Sequence, residues 1–298
     1  LAQVALDWPV VGQMRDLDAS QLDTVTPTEF LAEQLVTGPA FVVALGGGWR
    51  LLRAADHRGL RAVTIACVVV LALLLMLGGK AYYLGPVYPV LVGAGAVQLA
   101  AWSASAMGGV RRGALRGAMV AQVLYALAIL PMGLPVLPPP RMAQFAAALA
   151  GGAETNRGEA IEIPQDFADM LGWRETTDSV ARVWQSLSPA TRDSVVIVAF
   201  NYGRAGAIDR YGPRRGLPRP VSPLGSFWFW GPGPKAGSVA IVVGADTTLL
   251  RRYWSDVHLM SVHRHRWRVE EERAVPVWVV RGANEPLARL WRDFKGRN

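Results

Sequence analysis

The sequence predicts an α-helical polytopic membrane region of about four transmembrane helices, residues 1–140, followed by a small extracytoplasmic α/β domain, residues 141–298. Three observations predict it. Two uncharged, mostly apolar runs, Ala62 to Gly79 (18 residues) and Ala81 to Val110 (30 residues), flank a single cation, Lys80. Either run is about long enough to cross ~30 Å of hydrocarbon at ~1.5 Å rise per residue. The chain is 51% hydrophobic with mean hydropathy +0.22, too apolar for an ordinary soluble domain, yet its second half is charged and mixed. Basic residues gather in two short stretches, Arg50, Arg53, Arg58 and Arg61, then Arg111, Arg112 and Arg116, which is the positive-inside pattern of cytoplasmic loops. The net charge of +8 could suggest nucleic acid, but the positive-inside pattern is the simpler reading of these basic residues, and no nucleic-acid partner is expected.

The chain begins at Leu1 with no leader-like segment before its first motif, and so reads as the C-terminal part of a longer protein. Its one cysteine, Cys67, lies in an apolar run, which excludes an intrachain disulfide and a Cys metal cluster. Residues 1–36 carry six acids (Asp7, Asp16, Asp18, Asp23, Glu29, Glu33) against one base, Arg15, and are expected outside the cytoplasm. Within them Thr26-Pro27-Thr28-Glu29 has the form of a capped helix start. The four spans are read as Gln34 to Trp49, Ala62 to Gly79, Tyr88 to Met107 and Gly117 to Val136. Arg50 to Arg61 and Gly108 to Arg116 are the turns, and Pro138-Pro139-Pro140 closes the last span. Small residues at Gly93, Ala94, Gly95, Ala96, Ala100 and Ala101 allow close helix approach in the third.

After Arg141, an Ala-rich stretch (Phe145 to Gly152) and a connector (Asn156 to Asp166) lead to helical spacing over Thr177 to Leu187. Continuous apolar runs at Ser194 to Ala199, Ser238 to Val243 and Val275 to Val280 read as buried strands. Helices are expected over Ala205 to Tyr211, Thr247 to Tyr253 and Pro286 to Phe294. The alternation predicts a largely parallel sheet, with a site at strand C-terminal ends near Asn201 to Arg204 and Gly244 to Asp246.

Lys80, Tyr82 and Tyr83 are the candidate substrate-binding residues. One ammonium and two phenols at a membrane mouth can hold a lipid phosphate; a snorkelling lysine with an aromatic belt fits the same residues. His258, His263 and His265 beside Arg264, Arg266 and Arg268 read first as a solvated, salt-bridged strand, next as a basic surface near anionic lipid headgroups, and last as metal ligands. Phe227-Trp228-Phe229-Trp230 suits a strand packed on both faces, with sugar stacking or membrane contact as alternatives. Gly46-Gly47-Gly48 follows no strand and is no phosphate loop. No catalytic residue is identifiable, and a divalent metal is left open because no ligand set is apparent.

Thr26-Pro27-Thr28-Glu29-Phe30-Leu31, Gly79-Lys80-Ala81-Tyr82-Tyr83-Leu84 with Tyr88-Pro89, Asp166 to Trp173, Asn201-Tyr202-Gly203 with Ala205 and Ala207, Tyr211-Gly212 and Trp228 to Pro232 together resemble the C-terminal part of bacterial glycosyltransferase family 39 membrane proteins. These include relatives of protein O-mannosyltransferases and of the lipid A aminoarabinose transferase. The resemblance covers nearly the whole chain. It implies a GT-C type enzyme of the bacterial inner membrane that moves a sugar from a polyprenyl-phosphate donor to a protein, lipid or glycan acceptor at the outer face. In the family the general base lies in a first outer loop that this chain does not include. The resemblance also assigns Lys80, Tyr82 and Tyr83 to the donor phosphate, while Arg204 departs from the family's acidic residue at its turn. A non-enzymatic membrane-anchored module that binds a glycan or partner protein, and a transporter half, are the competing readings.

Overall fold

The computed structural model describes residues 4, 8–17, 26–53, 58–104, 108–155 and 158–294, which form two compact units, Leu1–Ala160 and Ile161–Asn298. Asp7, Asp18 and Asp23 of the acidic stretch lie outside the described residues. So do 54–57 of the first basic turn, 105–107 at the end of the third expected span, and 156–157 of the expected connector.

The first unit contains α1 (Pro9–Leu17), α2 (Pro27–Glu33), α3 (Pro39–Arg53), α4 (Arg58–Met76), α5 (Tyr88–Ser103), α6 (Gly108–Gly133) and α7 (Pro139–Ala150). The capping box at the start of α2 forms in full. The Thr26 hydroxyl accepts from the Glu29 amide at 3.2 Å, and the Glu29 carboxylate accepts from the Thr26 amide at 3.0 Å. Among the described residues, Ala81–Ser103 and Gly109–Gly133 are long and apolar enough to cross a membrane. The pair Pro27–Thr37 and Pro39–Arg53, bent by 102°, makes a third if taken as one span, and Arg61–Met76 is a shorter apolar helix.

Two expected boundaries are corrected. Gln34 to Trp49 is not one straight helix: a 3-10 turn ends at Thr37, Gly38 turns at φ +64°, and α3 starts at Pro39. Gly38-Pro39 supplies the physical reason, a left-handed position followed by a residue that cannot donate to the preceding turn. The Tyr125 ring sits where a Gly38 side chain would project, and its hydroxyl donates to the Val36 carbonyl at 2.7 Å. The Ala40 amide, freed by the break, donates to Gln122 Oε1 at 2.8 Å. The second correction concerns Gly108 to Arg116, which forms the first turns of α6 instead of a connecting turn. Arg111 and Arg112 stand near the positive end of the helix dipole, a placement that the helix itself disfavours. Arg111 reaches back, its guanidinium 5.2 Å from the Trp102 ring centroid and 3.5 Å from the Trp102 carbonyl near the end of α5.

Helices α3 and α5 pack backbone to backbone. A Cβ at Gly47 would overlap the Leu91 carbonyl, and one at Gly95 would overlap the Val43 carbonyl, so these two glycines allow the close helix contact. Gly93, by contrast, faces open space.

The second unit is a four-stranded mixed sheet of β1 (Val196–Ala199), β2 (Val239–Val243), β3 (Trp254–Arg264) and β4 (Ala274–Ala283), in the order β1-β2-β4-β3. Its labelled helices are α8 (Trp173–Ser186), α9 (Tyr202–Tyr211) and α10 (Thr247–Tyr253). Only β1 and β2 are parallel, in register Val196 to Ala240; β2–β4 and β4–β3 are antiparallel. The expectation of a largely parallel sheet is overturned by β3, an exposed edge strand whose mixed sequence lacks the apolar run that marked the others. Both sheet faces are covered. Ile197, Ala199, Ile241, Val243, Val275, Val277 and Val279 share one core with Val180, Val183, Ala205 and Ile208; Val198, Val242 and Val280 share the other with Leu250, Trp254, Leu287, Trp291 and Phe294. The expected closing helix is one turn, Leu287–Leu290, followed by turns that seat Trp291 and Phe294. On the free side of β1, Val221 pairs in parallel, its amide donating to Ile197 and its carbonyl accepting from Ala199, both at 2.9 Å.

Gly47→Val is expected to unseat α3 from α5 and to cost at least the ~1–3 kcal/mol of an overpacked core. A thiol-reactive dye melt of the detergent-solubilised protein, which reads Cys67 on α4, should show a lowered midpoint; an equal shift for Gly93→Val would remove the close-approach explanation.

Candidate functional site

The Lys80 corner is built by a helix stop and a tight turn. Helix α4 ends in a Schellman arrangement, with Gly78 at φ +62° and the Gly79 amide donating to the Leu74 carbonyl at 2.8 Å. Leu74 crowds the space that a Gly79 side chain would need. The chain then leaves in extended conformation through Lys80, the N-cap of a 3-10 turn over Ala81–Val87.

At three residues per turn, Ala81 and Leu84 fall on the inner face, and both are buried. Tyr82 and Tyr83 fall outward, 63% and 50% exposed, their ring centroids 4.6 Å apart and tilted by 59°. Lys80 is half-buried, and its carbonyl accepts from the Tyr83 amide at 3.1 Å. The three candidates therefore lie in one turn, the two phenols exposed and the lysine half-buried. An ammonium and two hydroxyls can donate hydrogen bonds to an anion, and the chemistry open to them is to hold a phosphate or carboxylate.

A neighbouring polar link was not foreseen. The Tyr88 hydroxyl, at the start of α5, donates to Gln34 Oε1 at 2.7 Å, and the buried Gln34 donates onward to the Phe30 carbonyl at 3.0 Å. An isolated amide in an apolar stretch was the available signal, since such a group has to find partners inside the protein.

In the second unit, the expected site at the strand ends is filled. Asn201 caps α9, accepting from the Gly203 amide at 2.6 Å, and Asp246 caps α10, accepting from the Leu249 amide at 2.9 Å. Arg204 occupies the crevice between them: Nη1 donates to the Gly244 carbonyl at 2.9 Å, Nη2 to the Glu271 carbonyl at 3.0 Å, and Nε to the Glu272 carboxylate at 3.1 Å. Glu272 also pairs with Arg268 at 3.1 Å, and the Arg268 guanidinium stacks 4.2 Å from the Trp173 ring centroid. All three charged residues are buried. The strand-end crevice is therefore a structural lock and not a binding cleft.

The basic cluster is corrected with it. Arg266 pairs with Glu162 at 2.9 Å on the surface as expected of a solvated strand, but Arg268 is 1% exposed. His263 and His265 lie with ring centroids 6.5 Å apart, and Nε2 of the first and Nδ1 of the second are buried without hydrogen-bond partners. Burial, and then the nearby Arg268 charge, pull both imidazoles below the usual histidine pKa. Among the described residues no group of three or more His, Cys, Asp or Glu is arranged to hold a metal ion. The aromatic block is also corrected. Gly225–Trp230 is a 3-10 turn, so Phe227 and Trp230, three apart, meet at 4.6 Å, while Trp228 and Trp291 exchange indole-to-carbonyl hydrogen bonds.

No family model, curated protein or solved structure matches this chain, so the geometry of its own residues carries the functional reading.

Glu272→Ala leaves two buried guanidinium groups without their carboxylate and is expected to destabilise the second unit by roughly 3–5 kcal/mol, read as a lowered denaturation midpoint of tryptophan fluorescence. A midpoint like wild type would show that the lock is dispensable. For the histidine pair the sign follows from linkage. The unfolded imidazoles protonate near the ordinary pKa of about 6.5 and the folded ones only at lower pH, so stability falls as pH drops through that window. Asp169, whose pKa burial raises, has the opposite sign and acts in the carboxylate range. The midpoint should therefore be lower at pH 5.5 than at pH 7.5, and the difference should shrink in His263→Gln/His265→Gln.

Proposed function

We propose that the chain is the C-terminal part of a GT-C type glycosyltransferase that moves a sugar from a polyprenyl-phosphate donor to an acceptor at the outer face of a bacterial inner membrane. The observation that carries this reading is the Lys80 corner: a half-buried lysine and two exposed tyrosines in the turn that joins the apolar helices α4 and α5. In the proposed topology α3, α4, α5 and α6 cross the bilayer in turn. This puts the arginines that end α3 and begin α4 and α6 on the cytoplasmic side, and the Lys80 corner and the second unit on the outer side. The unfavourable placement of Arg111 and Arg112 near a helix N-terminus then has its reason in the positive-inside rule.

In the proposed reaction an acceptor nucleophile attacks the anomeric carbon as the bond from that carbon to the donor phosphate oxygen breaks. The electron pair of the broken bond stays on the polyprenyl phosphate. Negative charge thus grows on the phosphate, and Lys80 with Tyr82 and Tyr83 would lower the barrier by stabilising it. The acceptor's proton goes to a general base to which no residue of this chain is assigned. A glycan-binding module without activity is the second reading, favoured by the exposed Trp230 in the second unit.

The test is transfer from polyprenyl-phosphate-linked mannose and aminoarabinose by membranes carrying the full-length gene product. Lys80→Ala is expected to lower the rate by about 10²-fold with insertion and the Cys67 melt unchanged, and Lys80→Arg to retain part of it. Transfer undiminished in Lys80→Ala would remove the proposal.

A further inference from the structure

The second unit carries a cleft that neither the sheet lock nor the Lys80 corner uses. It has a volume of about 360 Å³, at the low end of small-molecule sites, and lies against the N-terminal end of β1. Its walls come from Pro218-Arg219-Pro220 and from Trp230 to Lys235, with Phe227 behind. Four prolines fix φ along these walls, so the cleft needs little ordering to receive a ligand.

Its chemistry is specific in two respects. Trp230 is 64% exposed, and its ring meets Phe227 at 62° with centroids 4.6 Å apart, so much of the indole surface is open to a ligand. The charged lining residues are both cations, Arg219 and Lys235, with no carboxylate among them. Lys235 gives one hydrogen bond to the Val195 carbonyl at 2.8 Å and has two further N–H groups. Arg219 uses Nε on Asp209 at 3.0 Å, and its guanidinium carbon is 5.9 Å from the Trp230 ring centroid.

We propose that this cleft binds an anionic saccharide, with the apolar face of one sugar ring on Trp230 and its carboxylate or phosphate directed to Lys235 and Arg219. A sugar ring offers what the cleft lacks: a flat C–H face to cover the indole, and hydroxyls or an acid group for the cations. A polyproline segment fits less well, because it docks between aromatic ridges, whereas here the two rings meet at 62° and form no pair of parallel ridges. The proposal stands independently of the transferase reading, since it uses no residue of the Lys80 corner.

The experiment is a titration of the detergent-solubilised chain with tri-galacturonate, N-acetylneuraminic acid and glucose 1-phosphate, followed by saturation-transfer NMR and tryptophan fluorescence. At least one should bind with Kd on the order of 1 mM or tighter. Trp230→Ala should weaken it by about tenfold or more, Trp230→Phe should restore part of it, and Lys235→Gln should weaken it while leaving maltotriose, the neutral control, unaffected. Trp230 is exposed, so its removal leaves the fold intact. Absence of binding by all three acids, equal binding in Trp230→Ala, or a Trp230-dependent response only to phosphatidylglycerol vesicles would overturn the proposal.

Discussion

The second unit depends on the ionic chain Arg204–Glu272–Arg268. Burying two guanidinium groups and one carboxylate is costly unless every charge is paired. Here the carboxylate lies between the two cations, and Arg204 also takes two backbone carbonyls. The residues come from α9, the turn between β3 and β4, and the segment just before it, so the chain fixes the end of a parallel strand pair to an antiparallel hairpin. Neither element supplies that junction alone. Gly244 shows how tight the fit is: at φ +75° it leaves room for the Arg204 guanidinium where any side chain would stand.

The first unit has the opposite character. Its helices are held by glycine contacts and by a few polar links between distant segments, Gln34 to Tyr88, Gln122 to Ala40 and Tyr125 to Val36. Where apolar surface gains little from meeting apolar surface, backbone approach and satisfied polar groups decide which helices touch. The links collect around the Gly38 break, whose freed backbone groups need donors and acceptors. The Lys80 corner is made by the same means, a glycine stop followed by a proline-bearing turn, so backbone geometry and not side-chain packing directs the two tyrosines outward.

Much of this was legible where the signal was local. The Thr26 box, the apolar runs of β1, β2 and β4, and the helix after Asp246 could be read because each is fixed by neighbours within a few residues. The break at Gly79-Lys80 was legible for the same reason. Arg268 was not: in a stretch that alternates arginine with histidine and tryptophan, nothing local says which arginine turns inward, and its stacking partner Trp173 belongs to another helix. Phe227 to Trp230 is too short to separate a period of two from a period of three. Gly38-Pro39 carried its turn signal in plain view, but the uncharged run around it outweighed that signal. The strand-end crevice was inferred by analogy with open α/β sheets, and the single residue Arg204 closes it.

The two borders of the sheet carry one more consequence. A bare strand margin is a template on which other chains can add, and fibrous association begins there. One margin here is taken by Val221 against Ile197 and Ala199; the other, β3, is kinked between Leu259 and Ser261 and studded with histidine and arginine. Neither margin is a bare, regular edge onto which a second copy of this sheet could add directly.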